Sequence, residues 1–493
     1  MGQSIRAAEL VGALSLATDL GTGQPLEHAL RTAVLAVELG ELAGASAAEL
    51  ADTYYVALLH ASGCTSNSHE ATQLFGEDIM HRAAFFLIDP ADPEQVIAFY
   101  RTHVGPGRPQ EVRERMIAAA LSDPTRARES FAAMCEVAQR FARWLDLGPG
   151  VEAALQYVFA RWDGKGPTPE PGGEALPLAA RLLHVARDYS LFLSAADADD
   201  ARTVIGSRAG AAYDPRLADL AVRHFDGVCA ELDDSRMWEH ALDSEPLPHA
   251  RLSGDRIDAG FAAFAALTSL KSPWFREHSN GVADLAEAAA WRLGVAAESI
   301  AFLRHAALAA DLGRVGVSNA IWEKPGPLGF GESERVRLHP HFTERAFAQS
   351  PALAPIGRLA GSHHERLERG PVRSRLAHRR VAVGGGCRGG AETRGRRGTA
   401  RPGGGRCRAR GRGASRAEAV PRAAGRADTA RARGAAGARA RLVEPGNRRR
   451  SRHLRQDRRA PHPARLPEGR RPQPRRRDRL GVRAQPRQQP LGQ

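Results

Sequence analysis

The chain is poor in cysteine, methionine and aromatic residues: five Cys, five Met and 6% Phe, Trp and Tyr in 493 residues. Cys64, Cys135, Cys229, Cys387 and Cys407 show no paired spacing. That argues against a disulfide framework or a zinc finger and fits a reducing cytoplasm. The N-terminus lacks a basic segment followed by an apolar run, so no signal peptide is expected. No apolar run approaches the ~18 residues needed to cross a bilayer, so a cytoplasmic protein without membrane contact is expected. Strand-like alternation is nowhere sustained. The last absence is local. Residues 371–493 contain no Lys, Phe, Trp, Tyr, Ile or Met, but 36 Arg and seven acids, a net charge of +29. Residues 1–370 carry the opposite sign, −15. A segment of the tail's composition cannot bury enough apolar surface to offset its chain entropy and is expected to be disordered.

The remaining 370 residues are rich in Ala and Leu, with apolar positions at helical spacing. Leu30, Val34 and Val37 form a stripe behind His28; Val282, Leu285, Ala286, Ala289 and Leu293 form one behind His278. Gly105-Pro106-Gly107, Gly148-Pro149-Gly150, Gly164 to Gly173 and Lys324-Pro325-Gly326-Pro327 punctuate the run. The fold class expected is all-α. Two stretches also start alike. Glu27-His28 leads to His60-Ala61-Ser62-Gly63, and Glu277-His278 leads to Ala310-Asp311-Leu312-Gly313, with 32 residues between the opening His and the later pair in each. An offset of 250 residues suggests a duplicated domain, with a boundary near 245–257. The expected units are residues 1–250, residues 251–370 and a basic tail over 371–493.

Imidazole and carboxylate groups ligate divalent transition metals, and two such metals can activate a water between them. In the second copy the candidates, in order, are His278, Asp311, His339, His363 and His364. With Ala310-Asp311-Leu312-Gly313-Arg314, Lys324-Pro325-Gly326-Pro327-Leu328, His339-Pro340 and His363-His364-Glu365-Arg366, residues 278–365 resemble the HD-GYP family of metal-dependent phosphodiesterases, within the HD phosphohydrolase superfamily. The resemblance implies an all-helical fold of HD-like domains and a centre of iron or manganese. It also implies hydrolysis of cyclic di-GMP or related phosphodiesters. By motif position, His278, Asp311, His339, His363 and His364 are the implied metal ligands. Asp311 and Arg314 are the implied catalytic residues, Arg314 standing where the family has a substrate-contacting Lys.

The departures set a second expectation. Ala310 replaces the His of the His-Asp pair. Glu368-Arg369-Gly370-Pro371 stands where Gly-Tyr-Pro is expected, and the family's later Asp ligand falls in the tail. In the first copy, Trp162-Asp163-Gly164-Lys165-Gly166 matches the family, yet Val158 and Phe159 hold the paired-His positions, Ala61 replaces the Asp and Arg187 falls where a ligand Asp is expected. Weakened metal binding and little or no turnover follow, so a regulatory or sensory pseudoenzyme is the main expectation, with a residual phosphodiesterase as the alternative.

The Arg-dense tail also reads as an arm for nonspecific nucleic-acid binding. Its composition is equally what GC-rich DNA gives out of frame. Read one base forward with wobble bases free, Leu442 to Arg449, His453 to Leu466 and the stretch from Glu468 can spell sequences resembling the helix-turn-helix of LuxR-type regulators. A frameshift near residues 367–374 of a parent transcription regulator is the reading that follows.

Overall fold

The computed structural model describes residues 4–167, 171–232 and 234–365. The basic tail, and with it the disorder, nucleic-acid and out-of-frame readings, lies outside the described residues. Within them the all-helical expectation holds: apart from a two-residue ladder, the regular elements are α-helices and short 3₁₀ turns. In the ladder Ile5–Arg6 pairs antiparallel with Arg251–Leu252. No helix among the described residues is long and apolar enough to cross a membrane.

In the first half, α1 (Ala7–Thr22) is followed by α2 (His28–Ala43), α3 (Ala47–Leu59), α4 (Pro124–Trp144), α5 (Leu178–Ala195), α6 (Pro215–Glu231) and α7 (Met237–Asp243). Four shorter helices between Ser68 and Ser122 separate α3 from α4. The sequence sets several of the ends. Ser46 and Glu49 form a reciprocal capping box at the start of α3, and Asp214 caps α6 ahead of Pro215. The second half contributes α8 (Asp255–Lys271), α9 (His278–Arg292), α10 (Ala297–Ala309), α11 (His339–Ala348) and α12 (Ala354–Ala360).

The described residues of both halves lie in one compact unit. α1 is buried along nearly its whole length and packs on Leu312–Gly316 and α11 of the second half. Lys271, at the end of α8, is fully buried and forms an ion pair with the fully buried Asp78 of the first half. Asp78 also accepts hydrogen bonds from the Asn319 backbone N–H (2.8 Å) and the Ser318 hydroxyl (3.1 Å). His69 reaches Glu323 across the same seam at 2.8 Å.

The two apolar stripes have different fates. Leu30, Val34 and Val37 are buried, with α2 packed on α3, α5, α6 and α7. On α9 the stripe expected in the core faces outward instead: Leu285 is 74% and Leu293 81% exposed, and Val282 is exposed too. Ala283 and Ala290 make the buried face against α8 and α10. The paired-His positions, Val158 and His363, are related by an offset of 205, not 250. On that offset the counterpart of α5 falls at 383–400, outside the described residues.

Candidate metal centre

Both copies present their opening histidine in the same way. Glu27 (φ 73°) and Glu277 (φ 60°) take the left-handed conformation immediately before α2 and α9. A non-glycine residue there is strained by roughly 1–2 kcal/mol, and the turn sets His28 and His278 at the first helical position. In the second copy α10 ends at Ala309; Ala310 keeps helical angles and the chain then turns at Asp311. Thr343 of α11 ties this turn down. Its hydroxyl donates to the Ala310 carbonyl (3.0 Å) and accepts from the Gly313 N–H (2.9 Å). Gly313 is needed here for space: a methyl group added to it would lie 2.0 Å from the His339 carbonyl oxygen.

Four of the five expected ligands meet at Asp311. Its Oδ2 lies 3.2 Å from His278 Nε2, and its Oδ1 lies 3.6 Å from His339 Nε2 and 3.5 Å from His363 Nε2. His364 joins through the other histidines: one ring nitrogen from each of His339, His363 and His364 can be chosen so that all lie within 4.8 Å of one another. Arg314 Nε is 3.0 Å from Asp311 Oδ1 without hydrogen-bond alignment, and its guanidinium stacks over Phe275 and Trp322, 4.7 and 5.5 Å from the ring centroids. Neither ring is indicated by motif spacing; both come into range through the folding of α8 and the Arg314 turn. His305, five residues before Ala310, turns away to Asp258 at 2.6 Å and stacks on Phe261.

The polar atoms fit a bound cation. His339 Nδ1 faces the Val336 carbonyl at 2.6 Å and His363 Nδ1 the Ala360 carbonyl at 2.7 Å. Each Nδ1 must therefore carry the proton, leaving lone pairs on both Nε2 atoms. Those two Nε2 atoms face each other at 3.2 Å. Two lone pairs held at that distance repel unless a proton or a metal lies between them. Asp311 Oδ1, buried and without a hydrogen bond, points into the same space. Burial alone would raise the Asp311 carboxyl. The imidazoles of His339 and His363 and the Arg314 charge outweigh it and hold the group well below the usual carboxylate range. The donor set of imidazoles and one carboxylate is that of a divalent transition metal.

The first copy has the same backbone and none of this chemistry. Gly63 is pinned as Gly313 is, a built methyl lying 1.8 Å from the Met134 carbonyl oxygen. Met134 thus stands where the second copy has His339, on the same offset of 205 that relates Val158 and Phe159 to His363 and His364. Ala61, Cys64 and Met134 form a buried apolar cluster with Phe86, Phe131 and Phe159 packed against it. They replace Asp311, Arg314, His339 and His364 by apolar side chains and a thiol that burial holds in its protonated form. His28 and His60, the two histidines of the repeated stretch, are buried with ring centroids 6.0 Å apart. Arg187 lies beside them, its Nε on Asp188 at 2.7 Å and its Nη1 on the Val158 carbonyl at 3.0 Å.

An all-helical chain with a histidine–aspartate cluster at a helix junction has the architecture of the HD-domain fold. The solved structure of a cyclic GMP-AMP-specific phosphodiesterase of V. cholerae (V-cGAP3) shares it, with a TM-score of 0.55 over 77% of this chain and 94% of that one, at 24% identity. In sequence the chain is similar to the 3'3'-cGAMP-specific phosphodiesterase 3 of Vibrio cholerae: 27% identity over 367 residues, 73% of this chain and 79% of that protein. The 3'3'-cGAMP-specific phosphodiesterase 1 of the same organism is 30% identical over 131 residues, 26% of this chain and 30% of its own length. No family model matches. Homology over most of the chain supports the resemblance to HD-GYP phosphohydrolases drawn from the motifs.

Proposed function

We propose that the second copy is a metal-dependent phosphodiesterase site for cyclic dinucleotides, weakened by the missing ligand at Ala310. One observation carries it: the Asp311 carboxylate sits within 3.2–3.6 Å of imidazoles from the start of α9, the start of α11 and the turn after α12. The substrate class rests on similarity to proteins named for 3'3'-cGAMP hydrolysis. His278, Asp311, His339, His363 and His364 would hold the metal, which supplies Lewis acidity and an activated water. Arg314 keeps a fixed positive charge at the edge of the site, where a phosphodiester oxygen would be bound. Purified full-length protein should contain iron or manganese and hydrolyse 3'3'-cGAMP slowly. Asp311→Ala should remove both the metal and the turnover. Metal content and rate unchanged in Asp311→Ala would overturn the proposal.

The first copy supplies a template for repairing the second. His60 occupies the slot equivalent to Ala310, with φ −54°, ψ −32° against φ −53°, ψ −40°. Its Nδ1 faces the Ala57 carbonyl at 2.6 Å, and it is buried without disturbing the turn. A histidine at 310 can take the same pose, Nδ1 on the Ala307 carbonyl and Nε2 toward Asp311. Ala310→His is expected to tighten metal binding by roughly ten- to a hundredfold, the scale on which even outer-shell partners act, and to raise turnover. Titration with Mn²⁺ against a competing chelator reads the first effect directly.

A regulatory role is the second reading, favoured by the apolar plug in the first copy and by the exposed stripe of Val282, Leu285 and Leu293 on α9. On this reading the chain derives from a duplicated HD-GYP-like regulator whose last helices and LuxR-type helix-turn-helix were lost to a change of frame. The encoding DNA tests it: codons 453–466 that cannot spell that helix in the next frame sink the idea.

A further inference from the structure

Beside the apolar plug of the first copy lies a cavity that the proposed chemistry of the second copy does not use. Phe85, Phe86, Phe131 and Phe159 line it together with Arg161, Arg187 and Arg208 and the Asp188 carboxylate. Two of the arginines are already committed. Arg161 pairs with Asp89 at 2.7 Å and Asp163 at 3.1 Å, and Arg187 pairs with Asp188, which also accepts from Tyr213 at 2.9 Å. Arg208 differs. Its guanidinium lies over the Phe192 ring at 5.4 Å, and its side chain makes no hydrogen bond or ion pair among the described residues. Its charge acts on Asp92, Asp188 and Tyr213 only through space.

The electrostatics of this pocket are the inverse of those in the second copy. There a carboxylate and facing imidazole lone pairs call for a cation. Here His184 lines the cavity and His28 and His60 lie beside Arg187; burial first, and the Arg187 charge among the further causes (after His60 for His28), pushes all three imidazoles low, so they are neutral. Arg187 fills the cation's side of the site permanently. A metal would meet a guanidinium, whereas an oxyanion would meet the unused N–H groups of Arg208 and the remaining ones of Arg187. The phenylalanine wall provides the apolar face that a planar ring packs on.

We infer that the first copy holds a metal-free site for the phosphate group of a nucleotide, with Arg208 and Arg187 on the phosphate and Phe131 and Phe159 against the base. The site is independent of catalysis by the second copy, and gives a cyclic dinucleotide or its hydrolysis product a place to bind without being consumed.

Isothermal titration of the full chain with a nucleoside 5'-monophosphate and with inorganic phosphate, both in EDTA, tests this. Arg208→Ala should weaken both ligands at least tenfold. Phe131→Ala should weaken the nucleotide and leave inorganic phosphate unchanged. Asp311→Ala should bind both like the parent. Equal binding by the parent, Arg208→Ala and Phe131→Ala would assign the affinity to the tail arginines and overturn the site. So would a requirement for divalent metal, or loss of binding in Asp311→Ala. Retention of the parent's circular dichroism melt checks each variant, and Arg208→Lys, which keeps the charge, should recover most of the phosphate affinity.

Discussion

Replacing Lys271 by methionine should destabilise the protein by about 3–5 kcal/mol, the usual cost of leaving one member of a buried ion pair without its partner. Lys271 and Asp78 are both fully buried, and they join the two halves across the seam. Burial pushes the Lys271 ammonium down against the pull of Asp78; burial also opposes ionisation of Asp78, but the charges of Lys271 and Arg82 outweigh it and hold the carboxyl below its ordinary range. Without Lys271 the carboxylate keeps the Asn319 N–H and the Ser318 hydroxyl but loses its closest countercharge. Adding Asp78→Asn should recover part of the loss, since the carboxamide oxygen still accepts from Asn319 while the buried charge is gone. Urea denaturation of the parent, the single and the double variant measures both effects. A single variant within 1 kcal/mol of the parent would mean that water or Arg82 already screens Asp78.

The second large effect is acid instability centred on the first copy. His28 is lowered from 6.5 to about 3, by burial, then by His60 and Arg187, and His60 and His184 to about 4, by burial and by the Arg187 charge. The unfolded chain takes up protons near 6.5, while the folded chain refuses them until pH 3–4. The stability these neutral imidazoles contribute is therefore complete above about pH 6.5 and lost as pH falls toward 4. Each site can contribute up to about 1.4 kcal/mol per pH unit in that window. The protein should thus lose several kcal/mol between pH 7 and pH 5. His184→Gln should flatten the dependence, a denaturation midpoint in urea at the two pH values being sufficient to see it. An unchanged slope in that variant would place the acid sensitivity elsewhere, with the carboxylates.

The helical class and the histidine–aspartate positions of the second copy were legible because each is written locally: a 3.6-residue periodicity, and ligand types at helix starts and ends. What the sequence hid was anything fixed by distant partners. The change of offset from 250 to 205 conceals that Met134 answers to His339, although Cys64 answers to Arg314 on the original offset. The added helices between Ser68 and Ser122 shift the register, and no spacing rule survives an insertion. The α9 stripe was hidden for a related reason. Periodicity says that Val282, Leu285 and Leu293 share a face, but coverage of that face depends on elements far along the chain. The Phe275 and Trp322 stack on Arg314 likewise has no signature in motif spacing.

The left-handed glutamates carry a consequence of their own. Glu277 has a reason to hold that conformation, since it aims His278 at Asp311. Glu27 holds it as well, although His28 faces His60, the Ser190 hydroxyl and the Arg187 charge, with alanine at 61 in place of the aspartate. A strained turn recurs where the carboxylate that it faces in the second copy is absent. In this chain shape recurs where chemistry differs: the left-handed turn, the glycine at 63 and the helix start match those of the second copy, while the side chains around them do not. A search for lost metal sites in other duplicated helical proteins can begin from such orphaned kinks, where no ligand remains to mark the place.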